Sequence, residues 1–205
     1  MQFGLMRADK KGDHFELALR AVHQIKNADL LKKAEDEWTY ANILVTALQA
    51  SHKIKPHLNN QTDKEQDQKM IKVPAFGFDH VPDITIDNDG TAIEIKLIKG
   101  GNDLRDCLGQ ALIYRFAYRF AIMVLIDITK DRVFVESLRS KDSNEVKLLR
   151  DMCNNLNILT IVGPVGRFKN LAFVPKSSRK TKEKSISSKT TLPPETLNPP
   201  ALPGG

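Results

Sequence analysis

The sequence predicts an α/β fold, a mixed central sheet flanked by helices, and three observations carry that expectation. Stretches with apolar residues at helical spacing alternate with stretches of strand character, in the order α-α-β-β-β-α-β-β-α-β. Asn88-Asp89-Gly90 stands between two strand stretches as a hairpin turn, because Asn and Gly tolerate the positive φ such a turn needs. Gly100-Gly101-Asn102-Asp103 ends the strand that follows and caps a helix.

The first helix starts at Gly12-Asp13 and places Phe15, Leu19, Val22 and Ile25 on one face. The second covers 29–50, with a broad stripe of Leu30, Leu31, Ala34, Trp38, Ala41, Leu44, Val45 and Leu48. Residues 59–69, NNQTDKEQDQK, lack apolar periodicity and read as a long surface loop. Strands are expected at 70–78, 81–87 and 91–98, then a helix at 104–120, strands at 121–129 and 132–136, a helix at 143–155 and a strand at 157–162.

With 205 residues and 41% hydrophobic content, one domain over 1–175 is expected, followed by a tail at 176–205. The tail is basic, then Pro-rich, and its composition predicts disorder. Six basic residues against two acidic give it +4 of the chain's net +6, so the domain itself is nearly neutral. The longest apolar run, Phe120 to Ile126, is far short of the roughly 20 residues a membrane helix needs. The first twenty residues lack the apolar core of a secretory signal. Two cysteines, Cys107 and Cys153, have no CxxC spacing and read as reduced thiols, so a cytoplasmic location is expected.

The chemistry concentrates between Val81 and Lys96. On the strand at 91–98 alternate side chains share a face, so Ile93, Ile95 and Leu97 point one way and Glu94 and Lys96 the other, about 6–7 Å apart along the strand. The turn at 88–90 brings the preceding strand back antiparallel and carries Asp83 to the same end. Two carboxylates there make a hard-oxygen site suited to Mg²⁺ or Mn²⁺, and the lysine can hold a water or offset charge on a phosphorane-like transition state. A second Glu-x-Lys, Glu145-Val-Lys147, lies in a helical pattern, where residues i and i+2 do not share a face.

Pro82-Asp83 followed by Glu94-Ile95-Lys96, with ten residues between the acids, resembles the PD-(D/E)xK nuclease superfamily. The resemblance spans roughly 30–130 and implies a restriction-endonuclease-like αβββαβ core acting as an endonuclease on DNA. It implies Asp83 and Glu94 as metal ligands, Lys96 as the catalytic lysine and Gln110 on the following helix, one turn before Tyr114. Glu37 is the first choice for a further acid completing the metal site, with Glu16 as the alternative. Arg115 and Arg119 form an i, i+4 pair that could meet backbone phosphates or simply be exposed. The resemblance allows a homodimer, since many members dimerise to cut two strands. The alternative function is a nuclease-like fold retained as a non-catalytic nucleic-acid-binding or protein-interaction module.

Other chemistries lack support. The five histidines show no HxxxH or HExxH spacing and read as surface or locally bonded, Gly163-Pro-Val-Gly166 lacks a phosphate-loop ending, and no GxSxG is present. Trp38 and Tyr40 fit helix packing, and 6% aromatic residues give no obvious platform for stacking bases.

Overall fold

The computed structural model describes residues 5–6, 8–30, 36–164 and 170–175. The expected tail, positions Leu31 and Ala34, and the end of the Gly163–Gly166 turn lie outside the described residues.

Helix α1 (Asp13–Lys26) begins with Asp13 and Glu16, favourable at the positive end of the helix dipole, and ends with His23 and Lys26. Its buried residues Phe15, Ala18, Ala21, Val22 and Ile25 follow the helical stripe. Helix α2 (Glu37–Gln49) starts later than the stripe suggests: the Asp36 carboxylate accepts the Thr39 amide at 2.7 Å and sets the N-terminus.

The main sheet of the described residues has six strands: β1 (Leu58–Asn60), β4 (Ile84–Ile86), β5 (Thr91–Ile98), β6 (Phe120–Asp127), β7 (Ile158–Gly163) and β8 (Leu171–Phe173), side by side in that order. Neighbours β5, β6 and β7 run parallel, while the β1–β4, β4–β5 and β7–β8 pairs are antiparallel. Helix α4 (Gly101–Tyr114) makes the crossover from β5 to β6. Side-chain alternation then sorts the core into two layers. Ile93, Ile95, Leu97, Phe120, Ile122, Val124 and Ile126 pack with α1 and α2. Ala121, Met123 and Leu125 pack with α4, α5 (Val133–Ser137) and α6 (Asn144–Leu156) on the other face. Both faces of β5 and β6 are covered, as their apolar runs require.

Several expectations need correction. The polar stretch 59–69 holds the end of β1 and a short helix, α3 (Lys64–Asp67), capped by Asp63, whose carboxylate accepts the Glu65 and Gln66 amides. Asn60 is buried there, its amide donating to Gln66 at 2.6 Å, so side-chain pairing replaces apolar burial. Residues 70–78 are not one sheet strand: β2 (Val73–Ala75) and β3 (Phe78–His80) form a separate two-stranded hairpin. Phe76 and Gly77 both take positive φ, 51° and 84°, at its tip. The expected helix at 104–120 starts and stops earlier, because Asp103 caps it by accepting the Lys99 and Gly100 amides and the chain turns back after Tyr114. Residues 132–136, rich in β-branched and aromatic residues, form α5 instead of a strand. The fully buried Asp127 accepts the Thr129 and Val135 amides and winds the chain there. Strand β8 was not anticipated.

Arg115 also departs from expectation. Its guanidinium is buried, desolvation lowers its pKa to about 10, and it donates to the carbonyls of Leu156, at 2.7 Å, of Tyr118 and of Met6 at 2.5 Å. It ties the N-terminal segment, the end of α4 and the end of α6 together and cannot reach a phosphate. Arg115→Met should therefore cost about 3 kcal/mol, since three buried carbonyls lose their donor. The melting temperature should drop by about 6–12 °C. An unchanged melting temperature in calorimetry would refute this role.

Candidate functional site

The site forms where β4 stops and β5 continues. Their ladder ends at the Ile84–Ile93 pair, because Pro82 has no amide to donate and the chain veers away. Beyond that point the β5 amides of Ile95 and Leu97 have no strand opposite them. Two carboxylates take its place: Asp83 Oδ2 accepts the Ile95 amide at 2.7 Å, and Glu37 Oε1 accepts the Leu97 amide at 3.2 Å. Lys96 Nζ lies 3.3 Å from Glu37 Oε1. Helix α2 thus reaches the sheet through its first residue.

Glu94 is 8% exposed, on the α4 side of β5. The Tyr114 hydroxyl lies 2.9 Å from Glu94 Oε2, 2.7 Å from Gln110 Oε1 and 3.1 Å from the Val81 carbonyl. One hydroxyl proton cannot serve three acceptors. Either Glu94 carries a proton and donates, or the Gln110 amide turns its nitrogen to the phenol. Sequence reasoning gave Tyr114 no role of its own, although Gln110 and Tyr114 one turn apart were the available signal.

Among the described residues the site is electrostatically unbalanced: Asp83, Glu94 and Glu37 face Lys96, a deficit of two charges when all are ionised. Burial and then Glu37 push Asp83 up to about 6, against the Ile95 amide and Lys96, which pull it down. Burial and then Asp83 push Glu94 up to about 8, and the two titrate as a unit. Burial acts to lower Lys96, but Glu37 and Glu94 outweigh it, so Lys96 stays firmly charged. Burial and Glu94 hold the Tyr114 phenol protonated, and Cys107, buried behind the site, remains a thiol for the same reasons.

Among the described residues, Asp83 Oδ1 and Glu94 Oε1 carry no protein hydrogen bond. Their donor chemistry, hard carboxylate oxygens short of positive charge, fits a divalent cation that keeps most of its waters. No three His, Cys, Asp or Glu side chains among the described residues converge as a metal cage, and Glu37 is turned to Lys96 and the Leu97 amide. Glu16 is elsewhere, lining a cleft of about 440 Å³ with His57 and Asp87 at the opposite end of the hairpin. Arg119 also lies at that end, paired with Asp89 at 2.8 Å. His57 and His14 flank Asp87, at 2.5 and 3.4 Å, while His80 approaches the Ala75 carbonyl at 3.3 Å within the β2–β3 hairpin. Trp38, expected in the core, is 64% exposed, whereas Tyr40 is buried.

No family model, curated protein or solved structure matches the chain. No helix among the described residues is long and apolar enough to cross a membrane.

The raised carboxylates set a pH dependence. A folded state with pKa values above the unfolded ones, 3.8 for Asp83 and 4.5 for Glu94, binds more protons than the unfolded chain. The site's contribution to stability is therefore complete below about pH 4 and is lost as pH rises toward about 8. Without divalent metal, the melting temperature should fall by about 10 °C or more between pH 5 and 8.5. Asp83→Asn with Glu94→Gln should flatten that slope, and a double variant with the wild-type slope would show that the carboxylates are not its source.

Proposed function

We propose that the chain is a divalent-metal-dependent endonuclease that hydrolyses phosphodiester bonds in DNA, with a site of the PD-(D/E)xK kind. The observation that carries this reading is the meeting of Asp83, Glu94, Glu37 and Lys96 at the gap beside β5, three carboxylates against one ammonium among the described residues. The succession α2, β1, β4, β5, α4, β6, with β1–β4–β5 antiparallel and β6 parallel to β5, supports a restriction-endonuclease-like core.

Asp83 and Glu94 would hold Mg²⁺ or Mn²⁺, which supplies charge neutralisation at the scissile phosphate and acidifies a bound water. Lys96, kept charged by Glu37, is placed to orient a water and to stabilise negative charge developing on the phosphoryl oxygens. Tyr114 and Gln110 fix the Glu94 carboxyl in place. Bonding of Asp83 and Glu37 to β5 amides pre-sets these side chains before any substrate arrives. The same bonds also favour the second reading, a non-catalytic nucleic-acid-binding or protein-interaction module in which the carboxylates only terminate the strand.

Nicking of plasmid and branched DNA in Mg²⁺ or Mn²⁺ distinguishes the two. Asp83→Asn, which keeps an acceptor for the Ile95 amide, and Lys96→Ala should each lower the rate at least about 100-fold. Asp83→Asn should melt no lower than wild type at pH 8 without metal, since it removes a buried repulsion. Wild-type protein that cuts nothing with either metal, or variants that cut equally well, would leave the second reading standing.

A further inference from the structure

The β2–β3 hairpin carries aromatic residues where packing gives them no reason to be. Among the described large apolar residues, Phe76 at 87% and Phe78 at 72% exposure are the two most exposed. Phe76 also holds a φ of 51°, a region that favours glycine or asparagine and strains a bulky side chain. A phenylalanine that is both strained and solvated at a turn tip contributes nothing to the core, so its side chain is available to a ligand.

The base of the hairpin, by contrast, is fixed. Val73 packs with Tyr114 and Tyr118; the Tyr118 hydroxyl donates to the Ile71 carbonyl at 2.9 Å, and the Tyr114 hydroxyl lies 3.1 Å from the Val81 carbonyl. Two tyrosine hydroxyls therefore pin the chain on either side of the hairpin, and one of them belongs to the Glu94 network. The register pairs Val73 with His80 and Ala75 with Phe78, so Phe78 continues the packed face outward, past the tyrosines that cover Val73. Pro74 removes one strand donor, which disfavours recruitment of a further strand from another protein. Lys72, exposed, leads into the hairpin and Asp79, also exposed, lies on its second strand, so the hairpin carries no net charge, while Lys69 lies at the turn end of the β4–β5 hairpin with His57 and Asp87. Phe78 is five residues from Asp83, which limits their separation to about 17 Å, or roughly five nucleotide steps of a duplex strand.

Resting on the endonuclease reading, we infer that Phe76 and Phe78 stack on unpaired bases close to the cut, so that the preferred substrate is DNA carrying single-stranded nucleotides beside the scissile bond. An aromatic face takes any base, whereas in an intact duplex the bases are stacked on one another and closed to it. A narrow apolar tip on a rigid base, joined through Tyr114 to the Glu94 network, suits stacking on a base at the site.

The test uses the full chain and separates binding from cutting. Anisotropy titrations in EDTA, with an oligonucleotide as single strand and as matched duplex, report binding without turnover. The expected result is preference for the single strand, with Phe76→Ala/Phe78→Ala weakening that binding about tenfold or more and leaving duplex binding nearly unchanged. A 2-aminopurine base in the single strand should be quenched by wild type and much less by the variant. Phe76→Gly should raise the melting temperature yet weaken single-strand binding, which a folding defect could not produce. Equal affinity for both DNAs, unchanged binding by the double variant, or a change in its oligomeric state in sedimentation with no loss of affinity would overturn the inference. Absence of cleavage alongside the expected binding and quenching would count against the endonuclease reading alone.

Discussion

The site depends on one unmade set of hydrogen bonds: β5 runs on past the point where β4 stops pairing with it. A strand edge without a partner leaves amides that must be satisfied. Here Asp83 and Glu37 satisfy two of them, on Ile95 and Leu97. Asp83 comes from the strand that has just peeled away, and Glu37 from the first turn of a helix beginning forty-six residues earlier in the chain. The termination of β4 at Pro82 thus fixes the first carboxylate, and the N-cap at Asp36 fixes the other. Lys96, lying between Ile95 and Leu97 in sequence, points to the opposite face, yet its flexible stem lets the ammonium return to Glu37.

This arrangement is costly to the free protein. Burial raises both pKa values, with Glu37 adding to the rise at Asp83 and Asp83 to the rise at Glu94. Tyr114 offers a neutral hydroxyl, which orients Glu94 without neutralising it. A sequence selected only for stability would exchange Glu94 for an apolar residue, as at the neighbouring Ile93 and Ile95. Keeping the carboxylate makes sense where a cation or a developing positive charge completes the site.

The central part of the fold was legible in the sequence because its signals are local. The turn before Gly90, the alternation from Ile93 to Leu97, and the cap at Asp103 each act over a few residues, although the positive φ in that turn falls on Asp87 and not on Asn88 or Gly90. What failed to show depends on contacts between distant segments. Strand β1 is recruited into the sheet by pairing with Ile84 and Ile86, although its own Asn59 and Asn60 read as loop. The residues of α5 have strand propensity, which the Asp127 carboxylate overrides. Arg115 looked like half of a surface pair because helical spacing says nothing about the Met6 and Leu156 carbonyls that surround it. Trp38 was placed in the core because it fits the helical stripe, but it falls on the first turn of α2, beyond the edge of the packed layer.

The two ends of the β4–β5 hairpin differ in how their acids are compensated. Both ends hold paired acids: Asp87 and Asp89 at the turn, Asp83 and Glu94 at the open end. At the turn each acid meets a partner, His57 and His14 for Asp87 and Arg119 for Asp89. Those side chains are partly exposed, at 23–42%, and such pairs contribute little to stability. At the open end, among the described residues, the same residue types are more deeply buried, share a single lysine and keep one oxygen each without a protein partner. Acids alone therefore do not distinguish the two ends; uncompensated acids do. The asymmetry follows from the ladder, since a turn can close both strands with short loops, whereas the frayed end must use charged side chains to finish β5 and so gathers more negative charge than it can balance.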